Sequence, residues 1–322
     1  MNYAKISTKI SLLFLITITP HLHTGDAPPI TPRTTAYDYG FHAHAGLFLS
    51  AFYNTVAANR MRTAAAKTSA RALKASSPEK FKKLKQKAAR IQKAQGILGA
   101  IGSAGLLTYL LTQYPTWKKA DGTLNHTALA PSAAATGGLA ILLATCIQGF
   151  KKSSMYAKQA KYNAPLYALI NNPAFLKAHG IHDIDALAQK IRKGERISSS
   201  VEIPLTLALL AASAKLGEGS KLQPTDHELD ESHVRSGEYF TEGRPLSTPK
   251  AAGALSLDAA ALATSLGLQP LIKYLYTKKH AIPDMDALLS KEVARFKAEK
   301  KETRRAEKAR RQQELHSTTT NK

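Results

Sequence analysis

The sequence predicts an all-α, polytopic membrane protein built from helical hairpins, with an internal duplication and basic amphipathic helices on its cytoplasmic side. Three observations predict it. Two long runs, 94–117 and 126–150, carry no Lys, Arg, Asp or Glu. The basic residues are sorted into alternate segments rather than spread along the chain. A motif at 179–190 recurs, without a gap, at 280–291.

Composition sets the bounds. The 322 residues hold 45 Lys and Arg against 23 Asp and Glu, a formal net charge of +22, which points to anionic partners. Ala, Leu, Lys and Gln outweigh alternating Val, Ile and Thr, which favours helices over strands. A mean hydropathy of −0.22 fits a few lipid-facing helices rather than many. Cys146 is the sole cysteine, so it forms no intramolecular disulfide and fits no zinc motif.

Residues 1–24 read as a signal peptide or an N-terminal signal anchor. Lys5 and Lys9 precede the apolar run from Ile10 to Thr19, and Pro20 ends it. Residues 25–93 hold a first apolar helix near 39–59 and then a densely basic stretch. Within that stretch Phe81, Leu84, Ala88 and Ile91 recur at helical spacing among lysines. Two readings stand: an amphipathic helix on an anionic bilayer surface, or a solvated helix packed on its own protein.

Residues 94–200 form the first repeat copy. Each charge-free run exceeds the ~20 residues that cross a hydrocarbon core. Lys118, Lys119 and Asp121 separate the runs, Tyr114 and Trp117 stand at the boundary, and Lys151–Lys152 end the second run. Gly96, Gly99, Gly102 and Ser103 in one run, with Gly137 and Gly138 in the other, are the expected helix-packing residues. Small side chains let helices approach closely in a membrane.

Residues 201–290 form the second copy, with a short apolar run at 203–214, an acidic loop at 217–250 and an apolar run at 251–272 broken by Asp258. Residues 291–322 are a charged helical tail. The repeat rests on seven identities at one offset: His179, Ile181, Asp183, Asp185, Ala186, Leu187 and Lys190 match His280, Ile282, Asp284, Asp286, Ala287, Leu288 and Lys291. Asp183 and Asp284 are expected N-caps, and Asp185 and Asp286 first-turn acids that meet the helix dipole.

Segments 60–93, 151–202 and 273–322 hold 12, 9 and 14 Lys and Arg, 35 of the 45. Segments 24–38, 115–126 and 215–250 together hold eight, against ten Asp and Glu. The positive-inside rule then puts the former and the C-terminus in the cytoplasm, with a bacterial cytoplasmic membrane as the expected location.

No phosphate-binding glycine loop, H-E-x-x-H, C-x-x-C or G-x-S-x-G occurs, so no catalytic residue, cofactor or enzymatic activity is expected. The one ligand-like group is His21, His23, His42 and His44, imidazoles that suit zinc or copper; scattered interfacial histidines are the alternative. Asp258 is the transport candidate, because a carboxylate inside a span is functional by default; on a peripheral helix it would only face water. The expected function is a membrane anchor or scaffold, its basic surface engaging anionic lipid headgroups, a protein partner or a second copy. A small transporter or channel is the alternative, as is a secreted effector that inserts a hairpin into a host membrane. Nucleic acid lacks a recognition motif here.

The orientation is testable. Cysteines placed at Ser236 and Ser317, with Cys146 replaced, should respond differently to a membrane-impermeant thiol reagent on intact cells. Position 236 should label and position 317 should label only after lysis. Protection of both would mean that 203–272 does not cross.

Overall fold

The computed structural model describes residues 36–113, 122–123, 126–218 and 248–320, and these are helical with short turns. The expected signal segment 1–24 with His21 and His23, and the acidic stretch from 219 to 247, lie outside the described residues. The first helix, α1 (Ala36–Tyr53), runs without a break through a π-helical turn (Asn54–Asn59) into α2 (Arg60–Ala72). It is followed by α3 (Pro78–Gln113), α4 (His126–Lys161), two short helices α5 (Asn163–Ile170) and α6 (Pro173–Ala178), α7 (Ile184–Gly217), α8 (Thr248–Lys279) and α9 (Met285–Thr320).

Local signals explain the starts and stops. Ser77 Oγ accepts from the Lys80 amide (3.2 Å) ahead of Pro78, and Asn172 Oδ1 accepts from Ala174 (2.9 Å) ahead of Pro173. Asp183 caps α7 through the amides of Asp185 (2.7 Å) and Ala186 (3.1 Å), and Asp284 caps α9 through Ala287 (3.1 Å). The two repeat motifs make the same turn. In each, a histidine ends a helix with an aromatic ring four residues before it, Phe175 for His179 and Tyr276 for His280, both with ring centroids 4.5 Å apart. The next residue turns left-handed: Gly180 at φ 67° and Ala281 at φ 47°, where only glycine is free of strain. The context differs before each motif, since α6 has six residues and α8 has 32.

Helices α3 and α4 form one hairpin, and α7 and α8 another. In the first, a Cβ on Gly149 would lie 2.8 Å from the Gly96 nitrogen, and one on Gly99 would lie 3.1 Å from Cys146 Cβ. Gly138 brings α4 against α1: a Cβ there would lie 2.8 Å from Ser50 Oγ and 3.1 Å from Gly46 O. In the second hairpin Ser213 Oγ donates to Ala254 O (3.1 Å). Helix α1 lies between the hairpins, bonded to both. Its pairs with α8 (44 with 258, 54 with 265) run parallel, and those of α1–α2 with α7 (55 and 59 with 202, 63 with 199) run antiparallel. The N-terminus of α1 therefore shares one end of the bundle with the helix ends at 113, 126, 217 and 248. The basic segments share the other.

Two helices among the described residues are long and apolar enough to cross a membrane, Ile184–Gly217 and Pro249–Lys279. The first corrects the sequence reading. Residues 203–214 are not a short run but part of a 34-residue helix that passes through Pro204. The divisions at 93/94, 200/201 and 290/291 likewise fall inside α3, α7 and α9. Composition changes there, but no helix-stopping residue does the stopping.

The basic stretch near 80–91 is also resolved by packing. Phe81 and Ala88 are buried against the chain itself, Phe81 among Leu166, Ile170 and Leu289. Its apolar stripe is therefore used up inside the protein and not free for a bilayer surface. Of its lysines, Lys80, Lys82, Lys83 and Lys87 are exposed, and Lys85 is buried.

The glycine seam is selective. Among the described residues a Cβ at Gly137 meets nothing within 4 Å, and one at Gly102 only just touches Leu142 at 4.0 Å. Gly149→Ala should lower thermal stability in detergent, because its Cβ meets backbone; overpacking of this kind costs about 1–3 kcal/mol. Gly137→Ala should be neutral or stabilising. Equal melting temperatures for the two variants would refute the seam.

Candidate functional site in the helix interior

The bundle encloses a row of polar side chains and leaves a set of large apolar ones exposed. Ile97, Ile101, Leu107 and Leu111 on α3 and Leu143 and Ile147 on α4 face outward, with Leu111 63% and Ile147 52% exposed. Val201 and Leu205 on α7 and Leu271 and Leu275 on α8 do the same. Inside lie His44, Asn54, Thr55, Asn59, Glu202 and Asp258, all but fully enclosed. Water-soluble proteins arrange these classes the other way round.

The interior groups form a row along α1 and α2. At its upper end His44 Nδ1 lies 2.5 Å from Asp258 Oδ2, and Asp258 is 0% exposed. Asp258 Oδ1 has no hydrogen-bond partner. With its proton on Nδ1 the imidazole donates to the carboxylate, so the pair can share one proton. A turn and a half further on, Ser50 is buried against Gly138.

The π-turn comes next. Its wide spacing turns Asn54, Thr55 and Asn59 toward the same neighbours, which an α-helix would not do at an interval of five. Thr55 Oγ1 and Asn59 Nδ2 donate to Glu202 Oε1, each at 3.1 Å, and Thr206 approaches at 3.5 Å. Asn54 and Asn59 amides also donate to the Ser265 carbonyl at 2.8 and 2.9 Å. Arg62 reaches Asn59 Oδ1 at 3.1 Å, which links guanidinium, amide and carboxylate in line. Below this, Thr63, Ser199 and Gln269 bond one another, and Glu195 pairs with Lys273, whose side chain is half exposed.

The sequence candidates separate accordingly. His44 and Asp258 are brought together. The side chain of His42, like His21 and His23, lies outside the described residues. Among the described residues no group of three or more His, Cys, Asp or Glu could hold a metal ion. Of the four histidines only His44 has a described side chain, and it is paired with Asp258. Asp258 is enclosed rather than facing water. Glu202, Asn54 and Asn59 went unread in the sequence, although Glu202 is the only charge between 197 and 214.

A second polar cluster closes the basic end. Lys85, 0% exposed, donates to Ser69 Oγ (2.6 Å) and pairs with Asp286 Oδ1 (3.2 Å). Ser69 (2.8 Å) and Tyr156 (2.8 Å) donate to the same carboxylate. Burial pushes the Lys85 ammonium down, against the pull of Asp286. Burial pushes the Asp286 carboxyl up, but Lys85 and the hydroxyls of Ser69 and Tyr156 outweigh it and hold the group below its ordinary value. Burial and the neighbouring carboxylate raise the Tyr156 phenol. Its repeat counterpart Asp185 makes only an exposed pair with Lys74 (3.4 Å).

No protein-family model, curated protein or solved structure matches the chain. Its class is therefore drawn from architecture alone: an all-helical chain with two helices able to span a membrane and acidic side chains enclosed between its helices.

The lower cluster predicts an acid-sensitive fold. Asp286 binds its proton less tightly folded than unfolded, so the unfolded chain takes up more protons in the acidic window. Stability is then full above the ordinary carboxylate range and falls as pH drops through and below it. Asp286→Asn should flatten that limb of a melting-temperature–pH profile in detergent. Lys85→Met, which keeps the packed stem but strands the carboxylate, should cost about 3 kcal/mol at neutral pH. An unchanged profile in both would remove the cluster from the stability account.

Proposed function

We propose that the chain is a polytopic protein of a cytoplasmic membrane, with its C-terminus in the cytoplasm, and that it moves protons through its interior as a small transporter or channel. One observation carries this: the His44–Asp258 pair and Glu202 are enclosed on helices whose outward faces are large apolar side chains. An inert anchor needs the apolar surface alone. Burying carboxyls in it costs several kcal/mol each and gives an anchor nothing in return. The sorting of Lys and Arg to one end of the bundle supports the orientation, and the twin turns at 179–190 and 280–291 support a duplicated helix start.

In this reading Asp258 takes a proton from the outer side, aided by His44, becomes neutral and releases it inward. The row from His44 to Asn59 covers about 22 Å at 1.5 Å per residue, most of a ~30 Å hydrocarbon core. The exposed basic stretch 297–312 of α9 supports a second role for the cytoplasmic surface, contact with anionic lipid headgroups.

Purified full-length protein in liposomes, with a pH-sensitive dye inside, tests the reading. A potassium–valinomycin potential, negative inside, should acidify the lumen faster than in protein-free liposomes. Asp258→Asn should slow acidification at least tenfold while helicity by circular dichroism stays unchanged. Wild-type traces that match empty liposomes would overturn proton movement and leave the anchor reading.

A further inference from the structure

Resting on that reading, we propose that Glu202 in the π-turn cage is a second proton-binding carboxyl, switched between neutral and ionised forms by Asn59 and Arg62. The cage is lopsided. Glu202 Oε1 accepts from Thr55, Asn59 and Thr206, while Oε2 has no partner and the residue is 0% exposed. Asn54 Oδ1, in the same cage, also lacks a partner. An ionised carboxylate with one bare, enclosed oxygen is poorly solvated, which favours a proton on Oε2.

The ionised form is not stranded either. Thr55 and Asn59 face it from the π-turn, Thr206 from its own helix, and Ser265 of α8 stands behind the two amides. Among the described residues its charged neighbour is Arg62 of α2, which donates to Asn59 Oδ1 while Asn59 Nδ2 donates to Glu202. The amide carries the guanidinium's polarity to the carboxylate. A group supported in both protonation states can gain and lose a proton without unfolding its surroundings. A metal cation is disfavoured, because the cage has one carboxylate and a guanidinium beside it.

Infrared spectra of full-length protein in liposomes, recorded from acid to alkaline pH in the Asp258→Asn background, read the carboxyl directly. Subtracting the spectra of the Glu202→Gln variant removes the bands of the other carboxyls, and in the difference a protonated-carboxyl C=O band should be present at low pH and disappear as pH rises. Glu202→Asp should keep a titrating band, which guards against simple misfolding of the glutamine variant. Asn59→Leu should need a pH higher by roughly one unit to lose the band, a tenfold change in proton affinity. A purely structural Asn59 would leave the midpoint where it was. A band insensitive to Glu202→Gln, or one that does not titrate, would overturn the proposal. Flux without a titrating Glu202 band defeats this inference alone, and a titrating band without flux defeats the transport reading alone.

Discussion

Everything in this bundle follows from one constraint: α1 carries a polar face that has no water to turn to. His44, Asn54, Thr55 and Asn59 all lie on the one helix that sits between the two hairpins. Enclosed polar groups without partners cost about 1–3 kcal/mol each, so the helices around α1 must supply donors and acceptors at matching heights. Helix α8 supplies Asp258 and Ser265, and α7 supplies Glu202 and Ser199. The π-turn is part of the same solution. By widening one turn it aims two asparagines five residues apart at the same carbonyl, that of Ser265. These bonds and the apolar cluster of Ala51, Leu210, Ala261 and Leu262 together hold the second hairpin against α1.

The other side of the constraint is the outer surface. With the polar groups inside, many large aliphatic side chains of α3, α4, α7 and α8 are left to the exterior, while Leu106, Leu110, Leu142, Leu210 and Leu262 pack between the helices. The closest approach between helices comes where backbones meet. That is why the α3–α4 seam is built from Gly96, Gly99 and Gly149, with Cys146 and Phe150 filling the space between. In a soluble bundle such glycines weaken a helix. Beside a lipid-like exterior they are the means by which two helices hold each other.

Much of the architecture was legible in the sequence, and the failures have physical causes. Charge-free runs, N-capping aspartates and the twin motifs all report local chemistry, and the helix starts follow them. Asp258 stood out because a charge inside an apolar run is anomalous wherever the run lies. Glu202 carried the same anomaly but was overlooked because its helix was cut at 200/201. With only residues 203–214 in view, the glutamate seemed to sit outside the apolar segment. Lys85 was hidden for the opposite reason. Among Lys80, Lys82, Lys83 and Lys87 nothing local distinguishes the lysine that points inward. Its partners Ser69, Tyr156 and Asp286 come from three other helices and converge only in the fold. Gly149 was missed likewise, since a lone glycine near a helix's polar end gives no hint that another backbone lies against it.

The twin turns show how one local motif acquires two roles. Asp185 and Asp286 occupy the same position, two residues after a capping aspartate, and both meet a helix N-terminus. Asp185 looks outward to Lys74, where an exposed pair contributes little. Asp286 looks inward, because α9 enters the bundle with its first turn and buries Met285, Leu289 and Val293 beside Phe81. That docking gives Asp286 three partners on three helices and pins the start of α9. From that fixed start residues 297–312 of α9, basic and exposed, extend at the end of the bundle where the other Lys and Arg already lie. The ion pair at Lys85 therefore fixes where the tail's positive charge emerges. It ties the buried chemistry of the basic end to the charge asymmetry that first suggested an orientation.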